Sequence, residues 1–139
     1  MDVVDASGCV AGRVASLVAK ELLKGKEIAV VNAEKALITG NMKFIMGAFK
    51  EKVGRGDPRY GPFYPKTPDR ILKRIIRGML PYKKPRGREA MKRLKVYISV
   101  PEDLKDAEAM RLPGTGGAQE RKCITLEKIA RGVGGKFYA

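Results

Sequence analysis

Four consecutive apolar residues, Ile28-Ala29-Val30-Val31, follow an amphipathic helix, and that succession constrains the fold of this 139-residue chain more than any other feature. A strand with one wet face alternates apolar and polar side chains; an unbroken apolar run marks a strand covered on both faces. Just upstream, from Gly12 to Lys24, helical spacing gathers Val14, Ala15, Val18, Ala19, Leu22 and Leu23 on one half of the wheel. Ser16, Lys20, Glu21 and Lys24 occupy the other half, with Leu17 the apolar exception, and Gly25 stands where a C-terminal cap belongs. Val3-Val4, between Asp2 and Asp5, supplies a short strand before a turn at Ser7-Gly8. Strand, helix and buried strand form a βαβ unit, which implies a parallel pair and a right-handed crossover.

The remainder continues the alternation. After Ile38-Thr39-Gly40, a helix is expected from Asn41 to Val53, with Met42, Ile45, Met46, Phe49 and Val53 on one face. Residues 54–68 hold three Gly and four Pro and are expected to form an extended loop. Thr67-Pro68-Asp69 then announces a helix, with Thr at the N-cap, Pro at the first position and an acid in the first turn; Gly78 and Pro81 close it. A short helix near Glu89–Arg93, a third strand at Val96–Ser99, a Gly-rich loop over residues 112–119 and a helix from Thr125 to Arg131 complete the chain. The pattern predicts a single domain over residues 1–139. Its fold class is α/β, three layers (α/β/α) around a largely parallel sheet, with a basic helix, extended loops and a C-terminal tail at 101–139.

Charge is distributed unevenly. The chain carries a net +14, yet residues 1–40 are neutral and residues 96–139 nearly so. From Arg70 to Lys95, 11 basic residues face one acid, Glu89, for a net +10. On the helix from Pro68 to Gly78, Lys73, Arg74 and Arg77 fall within about 60° of Arg70 on the wheel. Ile71, Leu72, Ile75, Ile76 and Met79 lie on the opposite side. Solvated helix faces normally mix signs, because like charges at i,i+4 repel; here Arg70 with Arg74 and Lys73 with Arg77 are both such pairs. A face of this kind calls for a polyanion, and arginine's planar fork suits phosphate. The following Lys83-Lys84-Pro85-Arg86-Gly87-Arg88, without an apolar residue, is expected to lie extended along a folded RNA. Arg70, Lys73, Arg74, Arg77, Lys83, Lys84, Arg86 and Arg88, with Lys92 and Arg93 in the same cationic window, are therefore the candidate nucleic-acid-binding residues, with Arg13, Arg55, Arg59 and Lys66 secondary. Around Arg55–Lys66, Tyr60, Phe63 and Tyr64 interleave with the cations and serve either RNA contact or packing of the loop. Composition alone does not separate RNA from DNA.

Other chemistries find little support. No His is present, and Cys9 and Cys123 are distant, so no Cys/His zinc site is expected and a reduced, cytoplasmic pair is the plain reading. Gly8-Cys9-Val10-Ala11-Gly12-Arg13 sits where a phosphate-cradling loop would, but Arg13 replaces Lys, Val14 replaces Ser/Thr, and the glycines are one residue too close. A small α/β enzyme acting on RNA or a nucleotide through this turn is the alternative. No catalytic residue, metal or cofactor is expected, and no apolar run approaches the roughly 20 residues that span a bilayer.

Several segments carry a resemblance. Asp5-Ala6, Gly12-Arg13-Val14-Ala15-Ser16, Val30-Val31-Asn32-Ala33-Glu34, Ile38-Thr39-Gly40, Arg77-Gly78-Met79-Leu80-Pro81 and Arg86-Gly87-Arg88 resemble the L13 (uL13) family of large-subunit ribosomal proteins over about residues 2–100. Past the third strand the chain reads Val100-Pro101-Glu102-Asp103, lacking the Pro-His segment typical of bacterial members and looking like the archaeal branch. The resemblance implies an α/β/α domain that binds large-subunit ribosomal RNA during assembly beside neighbouring ribosomal proteins, in the cytoplasm and not as an independent homo-oligomer. It also implies that residues 70–93 face RNA, and that Met79 and Leu80 anchor the turn closed by Pro81.

Overall fold

A computed structural model of the chain describes residues 1–117 and 121–138; Ala118 and Gln119 of the expected Gly-rich loop fall outside them. The βαβ unit is present as β1 (Asp2–Asp5), α1 (Ala11–Leu23) and β2 (Ile28–Val31), with β1 and β2 parallel in the register Val3↔Ala29 and Val4↔Val30. Gly25 adopts φ 97, a conformation that costs a residue without Cβ little, and its N–H closes on the Leu22 carbonyl at 3.1 Å. Strand β4 (Leu94–Val96) pairs parallel on the far side of β2, and β5 (Ala109–Met110) pairs parallel with β1, giving the order β4-β2-β1-β5. The central position of β2 explains its unbroken apolar run: all four residues are buried.

Topology assigns the layers. The steps β1→β2 and β2→β4 run the same way along the sheet, so right-handed crossovers put their helices on one face. There α1 packs against α3 (Pro68–Gly78) and α4 (Pro85–Lys92). Val4, Ile28 and Val30 join this helical core with Ile71, Leu72, Ile76, Ala90 and Leu94. Val3, Ala29 and Val31 point the other way and are equally buried. The return from β4 to β5 reverses direction and crosses that second face, where the third layer is reduced to a connection with one 3₁₀ turn, Glu102–Leu104. A small antiparallel pair, β3 (Leu37–Thr39) with β6 (Cys123–Thr125), carries α2 (Met42–Gly54) and α5 (Leu126–Gly132). Asn41 caps α2 by accepting the Lys43 N–H at 3.0 Å, and Thr125 caps α5 by accepting the Lys128 N–H at 3.4 Å.

Five expectations need correction. The third strand sits two residues earlier than Val96–Ser99, because Ser99 takes φ 56 and leaves the sheet. Its N–H (3.0 Å) and hydroxyl (3.4 Å) donate to the carboxylate of Glu34, which is buried in the 3₁₀ turn after β2. Second, Lys83–Arg88 is not extended: after a turn, α4 begins at Pro85, whose fixed φ suits a first helical position, and it absorbs the helix expected near Glu89–Arg93. Buried Gly87 lies so close to the Pro81 carbonyl that a Cβ would collide with it. Third, Thr67 takes the N-cap of α3 as expected but makes no side-chain capping bond; its hydroxyl is buried and has no partner among the described residues. Fourth, Leu80 is buried while Met79, the C-cap of α3, turns outward and is 44% exposed. Fifth, the segment after α2 is not extended throughout: Asp57 and Gly61 exchange backbone hydrogen bonds of 3.2 and 2.9 Å, closing a turn between them.

The close approach at Gly87 yields a paired test. Gly87→Ala should lower unfolding free energy by about 1–3 kcal/mol through overpacking. Gly78→Ala, whose Cβ would meet nothing within 4 Å, should be neutral or stabilising by up to about 1 kcal/mol. Urea denaturation of the two variants checks both.

Candidate nucleic-acid interface

Helix α3 divides into the two faces its spacing dictates. Ile71, Leu72 and Ile76 are fully buried, each contributing about 1.5–3 kcal/mol of transfer free energy. On the opposite side Arg70 and Arg74 are exposed, and Lys73 and Arg77 half-buried. Among the described residues, no cation between Arg70 and Lys95 forms an ion pair: the pairs present join Lys24 and Lys26 to Glu21, Lys26 and Arg111 to Asp2 and Asp5, Arg55 to Glu51, and Arg131 to Glu127. Asp69 and Glu89, the only acids on α3 and α4, are not among them. Among the described residues, the positive field of the helix face is uncompensated.

Beside this face runs a groove of about 550 Å³ lined by Phe63, Tyr64, Pro65, Lys66, Thr67, Arg70, Lys73, Arg74, Arg77 and Met91. It continues, through the shared Arg77 and Met91, into a second depression formed with Tyr82, Lys83 and Arg88. Aromatic rings hold the guanidinium groups without cancelling their charge. Arg74 lies 5.7 Å from the Tyr64 ring centroid and Arg77 lies 4.2 Å from that of Tyr82. Tyr64 itself packs edge-on against Phe49 of α2 at 6.1 Å, with the Lys52 ammonium 5.0 Å from the Phe49 ring and 5.7 Å from the Tyr64 ring. Burial raises the Tyr64 phenol above its ordinary pKa, and the neighbouring Arg74 charge opposes that rise.

The fold thus brings Lys66, Arg70, Lys73, Arg74, Arg77, Lys83 and Arg88 together along one groove. Lys84, Arg86 and Lys92 are exposed on α4 and its approach but do not line it. Arg55 borders an adjoining depression with Phe63 and Lys66, and its guanidinium is paired with Glu51; Arg59 is exposed in the closed turn. Two candidates are turned to other contacts. Arg93 donates to the Leu22 carbonyl at 2.8 Å, at the C-terminal end of α1, and its Nε is buried without a partner among the described residues. Arg13 donates to the Gly114 carbonyl at 3.1 Å, in a separate cleft with Thr39, Gly116, Gly117 and Arg121. Sequence reasoning passed over Tyr82, Met91 and Lys52; Lys52 in particular comes from another helix, and nothing in its local pattern signals the contact.

The turn before α1 has its own N–H groups engaged. The N–H groups of Ser7, Gly8, Cys9 and Val10 already donate to Asp5 Oδ1 and to the carbonyls of Lys35, Ala6 and Thr115. The Cys9 thiol is buried among backbone carbonyls. A nucleotide phosphate would find those four donors occupied.

Comparison with known proteins places the chain among relatives. The family model described as ribosomal protein L13 matches residues 1–103, which include the whole groove. The large ribosomal subunit protein uL13 of Methanosarcina barkeri is 49% identical over 140 residues, covering 99% of this chain and 100% of its own. That of Methanococcoides burtonii is 44% identical over 139 residues, with 99% and 100% covered. The Thermoplasma acidophilum protein of the same name is 45% identical over 135 residues, with 97% and 99% covered.

The contact between Arg74 and Tyr64 can be read by titration. Replacing Arg74 with Met removes a cation that favours the tyrosinate, so the Tyr64 pKa should rise further. Carbon NMR of labelled tyrosine rings, followed from neutral to alkaline pH, measures that displacement.

Proposed function

The chain belongs to the ribosomal protein L13 family, and from that premise we propose that it is a non-catalytic constituent of the large ribosomal subunit that grips ribosomal RNA along the groove of α3 and α4. The observation that carries this reading is the uncompensated row Arg70, Lys73, Arg74 and Arg77, held outward by a helix whose other face is core. Among the described residues the row has no counter-charge, and RNA phosphates supply one at the spacing of a backbone. Lys66, Lys83 and Arg88 extend the row along the groove, and Lys84, Arg86 and Lys92 widen the field beyond it. Arg13, Arg55 and Arg59 are left as outlying contacts, and Arg93 acts mainly by fastening α4 to α1. By neutralising phosphates where RNA segments converge, the protein stabilises the folded RNA during assembly, beside neighbouring ribosomal proteins.

Binding on this basis is mostly electrostatic. With one phosphate for each of the seven groove cations, the logarithm of the binding constant should fall against the logarithm of salt with a slope of about −6. The double variant Arg74→Glu, Arg77→Glu should lose incorporation into large subunits while keeping its circular dichroism spectrum, since neither side chain belongs to the core. Sedimentation of reconstituted subunits after a high-salt wash is the measurement; unchanged incorporation would remove the groove from the RNA interface.

A further inference from the structure

We infer that the groove between the Phe63–Thr67 segment and the basic face of α3 receives an unpaired RNA nucleotide, its base against Phe63 and its phosphate against Arg70 and Arg74. This rests on the reading of the groove as an RNA surface and goes beyond it. Duplex phosphates need only cations, and the row on α3 is sufficient for them. Here the cations face an apolar wall of Phe63, Tyr64, Pro65 and Met91, which phosphate does not use.

The two adjacent rings are in different situations. Tyr64 is engaged, packed on Phe49 with Arg74 over it. Phe63 is 68% exposed and contributes nothing to the hydrophobic core. Its ring rests on Gly61, so near that a Cβ there would meet it at 3.0 Å, and Gly61 is fixed by its paired hydrogen bonds with Asp57. A bare aromatic surface therefore stands directly beside a closed turn, with its ring against Gly61. The groove's volume lies within the range of sites that take one small ligand, about 300–1,000 Å³. Unpaired bases stack on aromatic rings and on guanidinium planes, and both kinds of surface occur together here. Arg77 stacked on Tyr82, 4.2 Å away at the far end, offers a platform for the next base along the strand.

Two RNA hairpins test the inference, identical except that a 2-aminopurine is unpaired in one and base-paired in the other. Fluorescence titration at fixed salt should show the unpaired form bound about tenfold tighter, with a change in 2-aminopurine emission. Phe63→Ala should reduce that preference to about twofold or less while leaving the salt slope and the thermal midpoint unchanged; Phe63→Tyr should retain it. Equal binding of the two hairpins by the native protein, both salt-dependent, would overturn the nucleotide pocket and leave the RNA reading standing. A Phe63→Ala variant that kept the full preference would overturn the pocket in the same way. Failure to bind either hairpin would overturn the RNA reading and this inference with it.

Discussion

Burial of Ile71, Leu72 and Ile76 beneath α1 is the interaction on which the rest of the molecule depends. The opposite face of α3 sets two like-charged pairs at i,i+4, each opposing the helix by about 0.2–0.5 kcal/mol. Three buried aliphatic side chains, at about 1.5–3 kcal/mol each, outweigh that repulsion several-fold. The core therefore holds the helix in place against its own charge. The charges stay aligned because the helix has no freedom to turn them apart.

The corner between α3 and α4 converts a charged helix into a groove. Leu80 sinks into the core, Pro85 starts the next helix, and Gly87 lets that helix pass against the Pro81 carbonyl. Arg93 ties the end of α4 to the last turn of α1 through the Leu22 carbonyl. With α4 held there, Met91 and Arg88 face Arg77 across the second depression. The aromatic side chains then serve two purposes: Tyr64 and Tyr82 hold arginines in position, while Phe63 stays open.

Much of this is legible in local pattern. The amphipathic period of α1 and α3, the buried run of β2 and the Pro–Gly punctuation of α3 each report a local constraint, and these elements form within a residue or two of expectation. The departures involve long-range partners. Lys83–Arg88 reads as extended because it has no apolar residue, yet Gly87 and Ala90 are small enough for α4 to pack closely, and smallness carries no hydrophobic signal. The third strand is displaced because Ser99 answers to Glu34, 65 residues away in sequence. Strands β5 and β6 are two and three residues long, too short to show a period. Arg93 and Arg13 read as RNA ligands from charge; that each guanidinium also donates to a carbonyl is decided by the tertiary fold.

By itself the sequence determined the helices with a strong apolar period, the parallel βαβ core and the concentration of +10 in one window, because these depend on neighbours within a turn or two of chain. Only the tertiary structure decided which cations share a groove, which arginines also donate to backbone carbonyls, and which aromatic ring of the groove remains bare. Those outcomes depend on contacts between residues brought together by folding, such as Arg74 with Tyr64 or Arg93 with Leu22. A charge or a ring has the same local signature whether it ends buried, paired or free.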